Sequence, residues 1–273
     1  MVYGTHVAGI IAGNGFSSKG KYAGIAPKSN ILSIKALDEN GGAPTSKIVE
    51  AISYIIETKD KYKTRIINLS VGTPANSPSS KDPLSQAVEK AVEAGLIVIV
   101  AAGNSGPREK TILSPGISPS VITVGAIDDK RTIDRTDDVI APFSSRGPTM
   151  EGINKPDLLA PGVSINSLSN TNTKGYTALS GTSMATPLVS GAIALLLNKY
   201  PNLSPKRVKK MLLNSCIDME EPKDFQGAGV LNLELLFNKD IEDKDTSFRL
   251  KGKEDIEIFF TFLLILFLLD SRI

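Results

Sequence analysis

Short aliphatic and β-branched runs alternate along this chain with stretches whose apolar positions recur every three to four residues. Ile31–Ala36 (ILSIKA), Arg65–Ser70 (RIINLS), Leu96–Ala102 (LIVIVAA) and Ser120–Ala126 (SVITVGA) read as strands. Ser46–Thr58 reads as a helix with Ser46 as its N-cap and Ile48, Ala51, Ile52, Ile55 and Ile56 on one face. Pro83–Ala94 is bounded by Asp82 before its first-turn proline and by Gly95 after its end. Thr182–Tyr200 and Pro205–Asn214 continue the helical pattern. Strand, helix and strand in repetition predict an α/β fold, a mainly parallel sheet with helices on both faces. In such sheets ligands bind beyond the carboxyl ends of the strands, where this chain carries its Gly- and Asn-containing turns.

The pattern breaks near the C-terminus. Lys239–Glu257 is densely charged, and Ile258–Leu269 (IFFTFLLILFLL) is almost wholly apolar. Twelve residues fall short of the roughly 20 a membrane helix needs, so no membrane contact is expected of it. The folded domain is therefore assigned to residues 1–235. Residues 236–273 are read as a charged linker and apolar tail outside the fold.

Composition narrows the function classes. Hydrophobic residues make up 41% and charged residues 22%, with a formal net charge of +2, ordinary for a globular protein and no support for a nucleic-acid partner. The single cysteine, Cys216, excludes an internal disulfide framework. With no basic-flanked apolar leader at Met1–Ala12, this favours a cytoplasmic setting over a secreted one.

Three segments carry candidate chemistry: Gly4–Gly9 (GTHVAG), Ala101–Asn104 (AAGN) and Ser180–Pro187 (SGTSMATP). His6, the only histidine, sits among small residues at the start of an apolar helical run, and an imidazole can take and return a proton near neutrality. Ser183 opens a long helix, where unpaired N–H groups lie beside a nucleophile. Pro187 removes the N–H that would bond to the Ser183 carbonyl. Asn104 follows a strand and a glycine, where its amide could donate to a developing oxyanion. Each has an ordinary alternative when taken alone: a structural histidine, a Ser/Thr cap, a turn asparagine.

Together, and in this order, the segments resemble the subtilisin-like serine protease family. Further matching segments are Ala23–Pro27 (AGIAP), Asn68–Gly72 (NLSVG), Ser144–Pro148 (SSRGP) and Lys155–Gly162 (KPDLLAPG), the last two closest to the intracellular, AprX-type branch. The resemblance runs from residue 1 to about Leu233. It implies a three-layer α/β sandwich and a serine endopeptidase acting on peptides or proteins, with no cofactor required for chemistry. Ser183 would be the nucleophile, His6 the general base, and Asn104 with the Ser183 N–H the oxyanion hole. Gly41, Gly42, Ala43, Ser70, Val71 and Gly72 would hold the substrate backbone. Ala101, Ala102, Gly103 and Leu113 would wall the pocket for the residue before the cut.

The sequence departs from the family in three places. The family's triad Asp lies roughly thirty residues before its His, whereas five residues, none acidic, precede His6. The chain is therefore expected to lack that N-terminal segment and to be an impaired protease; the rival reading is an inert peptide-binding fragment. Tyr3 stands where the family usually has His. No calcium-ligand pattern is legible: Asp128, Asp129, Asp134, Asp137 and Asp138 read as a solvated acidic loop and no metal ligand is assigned, leaving structural calcium open. Two other readings fail on residues. Gly15–Tyr22 misses the hydroxyl of a phosphate loop, and an α/β-hydrolase would need GxSxG with its His last.

Overall fold

The computed structural model describes residues 3–38, 41–171, 174–238 and 262–267. In chain order they form α1 (Tyr3–Ala12), β1 (Asn30–Lys35), α2 (Thr45–Tyr62), β2 (Thr64–Leu69), α3 (Pro83–Glu93), β3 (Ile97–Ala101), β4 (Ile122–Asp128) and β5 (Val139–Ile140). There follow β6 (Leu158–Pro161), β7 (Ile165–Leu168), β8 (Tyr176–Leu179), α4 (Thr182–Lys199), α5 (Pro205–Leu213), β9 (Cys216–Ile217), α6 (Lys223–Gln226), β10 (Val230–Leu231), α7 (Leu233–Asn238) and β11 (Phe262–Phe267). The main sheet has the order β1-β11-β2-β3-β4-β6-β10-β9, with β5 on β4, while β7 and β8 form a separate antiparallel hairpin. From β1 to β10 the neighbours run parallel. Among the described residues no helix is long and apolar enough to cross a membrane.

Two apolar layers explain why β2, β3 and β4 are buried nearly throughout. Successive side chains on a strand point to opposite sides of the sheet. Ile66, Ile97 and Ile99 enter one layer with α1, α4 and α5, and Ile67, Leu69, Val98 and Val100 enter the other with α2 and α3. β3 (IVIVA) is buried along its whole length, the pattern of a parallel strand covered on both sides. Each fully buried Ile or Val contributes roughly 1.5–3 kcal/mol. α3 starts as its sequence predicts, with the Asp82 carboxylate accepting from the Ser85 N–H at 2.7 Å and Pro83 at its first position. α2 runs further than expected, from Thr45 to Tyr62, and begins after Pro44 without a side-chain cap from Ser46.

α4 fixes the centre of the molecule. Thirteen of its residues, from Thr182 to Leu197, are buried, so it is apolar on nearly every side. Gly191 allows the close approach on one of them: a Cβ there would lie 2.6 Å from that of Ile25. α4 packs across β2, β3, β4 and β6, and its first turn stands at the carboxyl ends of those strands.

One expectation is overturned by this architecture. The apolar tail contributes β11, which runs parallel between β1 and β2, Asn30 pairing with Phe262 and Lys35 with Phe267 on one side and Ile66 with Leu263 on the other. The reason is main-chain satisfaction. The strand pairs its main chain with β1 on one side and β2 on the other, which satisfies backbone groups of all three. The rest of the proposed linker and tail, 239–261 and 268–273, lies outside the described residues.

Candidate active site

Three of the candidate substrate segments follow the carboxyl ends of strands of the main sheet. Gly41–Ala43 comes after β1, Ser70–Gly72 after β2, and Ala102–Asn104 after β3. The turn after β1 is closed by the Asp38 N–H to the Gly42 carbonyl at 2.8 Å and the Gly42 N–H to Asp38 Oδ1 at 2.9 Å.

Ser183 is held at the start of α4 against the end of β2. Its hydroxyl donates to the Ser70 carbonyl at 3.4 Å, and its own carbonyl accepts from Ser70 Oγ at 3.2 Å. That second bond is available because Pro187 has no N–H to claim the carbonyl. Asn68, fully buried on β2, extends the relay: its Nδ2 donates to Ser70 Oγ at 3.1 Å, and its Oδ1 accepts from Ser190 Oγ at 2.8 Å. Ser183 is thereby tied to the sheet through two turns of its own helix.

Asn104 has a fixed amide orientation. The Thr182 N–H donates to Asn104 Oδ1 at 2.9 Å and the Thr182 hydroxyl donates to the same oxygen at 3.0 Å, while that hydroxyl accepts from the Gly103 N–H at 3.2 Å. With Oδ1 committed, Nδ2 is the end presented to the cleft. The position a Cβ would take on Gly181 lies 3.2 Å from Asn104 Nδ2 and 3.7 Å from the Ser183 nitrogen. Two donors thus converge beside one small volume that glycine leaves empty. In the first turn of α4 the Met184 N–H bonds to the Gly181 carbonyl, and the Ser183 N–H has no intrahelical partner.

Leu113 occupies the space between two cleft segments. Its backbone N–H bonds to the Ala102 carbonyl at 2.9 Å. A Cβ on Gly103 would lie 2.6 Å from Leu113 Cγ, and one on Gly72 would lie 3.0 Å from Leu113 Cβ. The leucine side chain therefore fills the ground between Gly72 and Gly103. Leu113 also lines a cavity of about 320 Å³, together with Pro74, Ile112, Ile117, Pro148 and Met150.

His6 is arranged differently from the expected convergence. It lies in α1, fully buried, and its Nε2 is 3.0 Å from the Ile165 carbonyl and 3.1 Å from the Thr177 carbonyl, both on the β7–β8 hairpin. Carbonyls only accept, so Nε2 carries the proton. Nδ1 is buried and has no hydrogen-bond partner among the described residues. Burial pushes the imidazole below its ordinary pKa, and the two carbonyls oppose that only partly. Ser183 donates to Ser70, and His6 bonds to the hairpin; no described hydrogen bond joins the two side chains. The physical reason is tautomeric. With nothing accepting from Nδ1, the proton resides on Nε2 and the ring turns to the nearest acceptors. Ser167 Oγ, which donates to the His6 carbonyl at 2.8 Å, and Gly9, where a Cβ would strike Ser167, bring the hairpin close to α1.

Some residues of this region were not singled out by the sequence. Thr182, which orients Asn104, has its only signal in its place beside the nucleophile. The carbonyls that hold His6 leave no signal in side-chain type. Beyond the cleft, Lys155 and Asp157 of the KPDLLAPG segment make a buried ion pair at 2.6 Å, joined by Lys209 at 2.8 Å. Burial lowers Lys155 to about 8 against the pull of Asp157. Burial would raise Asp157, but the two flanking ammonium groups outweigh it and hold the carboxyl below its usual range. The acidic loop is occupied with itself: Asp128 pairs with Lys130 at 2.8 Å, Asp134 caps the Thr136 N–H at 2.9 Å and Asp137 accepts from the Thr132 hydroxyl at 2.8 Å. Among the described residues no group of three or more His, Cys, Asp and Glu side chains is placed to hold a metal ion.

Comparison with known proteins places this geometry in a lineage. The Subtilase family (Peptidase_S8) profile matches residues 3–233. The chain is 43% identical over 250 residues to "Serine protease AprX" of Bacillus subtilis (strain 168), an alignment covering 85% of this chain and 57% of that protein. It is 38% identical over 234 residues to "Subtilisin DY" of Bacillus licheniformis, covering 85% and 76%. Among solved structures, "S41 Psychrophilic Protease" superposes with a TM-score of 0.74 at 29% identity, covering 85% of this chain and 77% of that one. "Sphericase" superposes at 0.73 and 29%, covering 83% and 76%. The chain thus spans a little over half the length of one curated relative and about three quarters of another.

Proposed function

This chain belongs to the subtilase family, and on that premise we propose that it is a serine endopeptidase working through an acyl-enzyme on Ser183. The observation that carries the reading is the fixed orientation of the Asn104 amide beside the Ser183 N–H around the empty Cβ position of Gly181. Donors preorganised in this way favour the charge that develops on a tetrahedral oxyanion. Ser183 Oγ attacks the peptide carbonyl carbon and its proton passes to His6 Nε2, which must first leave the Ile165 and Thr177 carbonyls with the ring proton carried on Nδ1 instead. The C–N bond then breaks as that proton moves to the leaving amine, and water repeats the sequence to release the acyl group. The chemistry requires no cofactor.

Substrate enters as an extended strand against Gly41–Ala43 and Ser70–Gly72, whose backbone lies at strand ends. Leu113, filling the space between Gly72 and Gly103, selects a small apolar side chain before the cut. The rival reading, a peptide-binding chain with little turnover, is favoured by the state of His6: its Nε2 proton is held by two carbonyls, so that nitrogen has no lone pair to offer Ser183. An active-site-directed fluorophosphonate separates the two. Ser183 labelling, mapped by mass spectrometry and absent in Ser183→Ala, with hydrolysis of a chromogenic peptide, is the outcome expected of the enzyme. Peptide binding with neither labelling nor turnover would leave the binding reading standing.

A further inference from the structure

α5 turns one face to the core and the other to a groove. Val208 and Leu212 are buried, while Lys206, Lys209, Lys210 and Leu213, spaced three and four residues apart, share the opposite side. With Val92, Pro119 and Pro205 they line a cavity of about 440 Å³. The groove is built in advance of any occupant. Lys209 Nζ donates to the Pro119 carbonyl at 2.9 Å and the Val121 carbonyl at 2.7 Å and pairs with Asp157 at 2.8 Å, which ties α5 to the segment entering β4. Lys206 and Lys210 form no ion pair among the described residues. Glu93, beside Val92 on α3, is the one acidic residue adjacent in sequence to this lining, so the groove is cationic on balance.

A knob of complementary character stands at the other end of the same strand. Pro119 and Ser120 precede β4, and the loop 129–138 follows it. The seven residues of β4 therefore separate the two surfaces by roughly 20 Å. In that loop Ile133 is fully exposed. A lone exposed aliphatic is ordinary; this one is presented in a fixed shape among carboxylates. The Thr132 hydroxyl lies 2.8 Å from both the Asp134 carbonyl and Asp137 Oδ1, and Asp134 Oδ1 accepts from the Thr136 N–H at 2.9 Å. Between Asp128 and Asp138 five carboxylates stand against three cations, and only Asp128 is in an ion pair among the described residues.

From an apolar knob ringed by carboxylates at one end of β4 and an apolar groove set with ammonium groups at the other, we infer that copies of this chain associate head to tail. Ile133 of one copy seats against Val92, Pro119 and Leu213 of the next, with Asp134 and Asp137 facing Lys206 and Lys210. The two surfaces lie at opposite ends of one rigid strand, so a copy cannot satisfy its own groove. The contact is heterologous, and each copy adds another in a row. One loop on one groove falls below the roughly 1,200 Å² of a stable interface, so the association is weak and weakened further by salt. It uses neither Ser183 nor His6 and is independent of the reaction proposed above.

Sedimentation velocity on the full chain, from micromolar to near-millimolar protein at low and high salt, tests this. The parent is expected to rise past the mass of two copies at low salt and to return to the monomer at high salt. Ile133→Ser and the double variant Lys206→Glu/Lys210→Glu change exposed side chains outside the core, so the fold is retained. Each is expected to remain monomeric alone. Mixed in equal amounts they are expected to give a species of two copies and none larger, because one supplies only a working groove and the other only a working loop. A parent that stays monomeric throughout would overturn the inference. So would a parent that stops at two copies, either variant associating as the parent does, or a mixture that stays monomeric.

Discussion

Asn104 and Ser183 are held by neighbours on adjoining strand ends and in the first turn of one helix, whereas His6 is held by carbonyls 159 and 171 residues downstream. In the first region the proposed donor and nucleophile are each fixed by a neighbouring polar residue: Thr182 orients Asn104, and Ser70 and Ser183 exchange two hydrogen bonds. In the second region the imidazole is placed by backbone alone and keeps one nitrogen without a partner. The two proposed oxyanion donors are therefore oriented within a strand–helix framework, whereas the proposed base is placed by a distant hairpin. Donors need only orientation; a base also needs the right tautomer.

The sharpest way to break this comparison is Asn104→Ala. If the first region is preorganised, turnover of a chromogenic peptide falls by about 10²–10³-fold with little change in KM, a range set by an oxyanion donor in this same family and taken over here. A loss below tenfold would show that the Asn104 amide does not face the reacting carbonyl. Next in size, Leu113→Gly should open the ground between Gly72 and Gly103 and shift preference before the cut toward large aromatic side chains. The change in relative kcat/KM is expected at about 10–200-fold, the scale of hydrophobic pocket selection. A peptide-library profile unchanged by the substitution would place that pocket elsewhere.

A smaller effect tests the link between the two donors. Thr182→Val removes a hydroxyl that donates to Asn104 and accepts from Gly103. At about 1 kcal/mol for a hydrogen bond, roughly fivefold in turnover is expected, with Ser183 labelling preserved; complete loss of labelling would mean that Thr182 holds the nucleophile itself. The smallest effect concerns His6, whose pKa burial holds below 6.5. Below that unfolded value the unfolded chain binds a proton that the folded chain refuses, so stability falls as pH drops. The slope is at most about 1.4 kcal/mol per pH unit. Denaturant unfolding between pH 7 and 5, compared with His6→Gln, reads this contribution, and equal slopes would remove His6 from it.

Much of the first region was legible because its causes are local. The run LIVIVAA has no polar position to spare, so it could only be a doubly covered strand, and Ala102–Asn104 had to follow its carboxyl end. Pro187 announced a free Ser183 carbonyl, and the structure supplies Ser70 Oγ to meet it. The second region was legible in residue type and not in state. His6 could be named from GTHVAG, but its tautomer depends on carbonyls in a hairpin that no side-chain pattern marked. The tail was misjudged for a related reason. Its apolar run, read by length, was too short for a membrane and too isolated for a core. Only the gap between β1 and β2 gives it a place, and a gap is a property of the assembled sheet.

That strand also bears on how the molecule comes together in time. Asn30 and Phe262 are paired across 232 residues of chain, so this contact is among the least local in the fold, and closing so long a loop is slow and entropically costly. During synthesis β1 and β2 emerge well before the segment that joins them, each with an open apolar edge of the kind that recruits strands from other molecules. The nascent chain is thus exposed to mispairing until Phe262–Phe267 arrives, and a chaperone that shields those edges should raise the yield of monomer more than it raises the stability of the finished sheet.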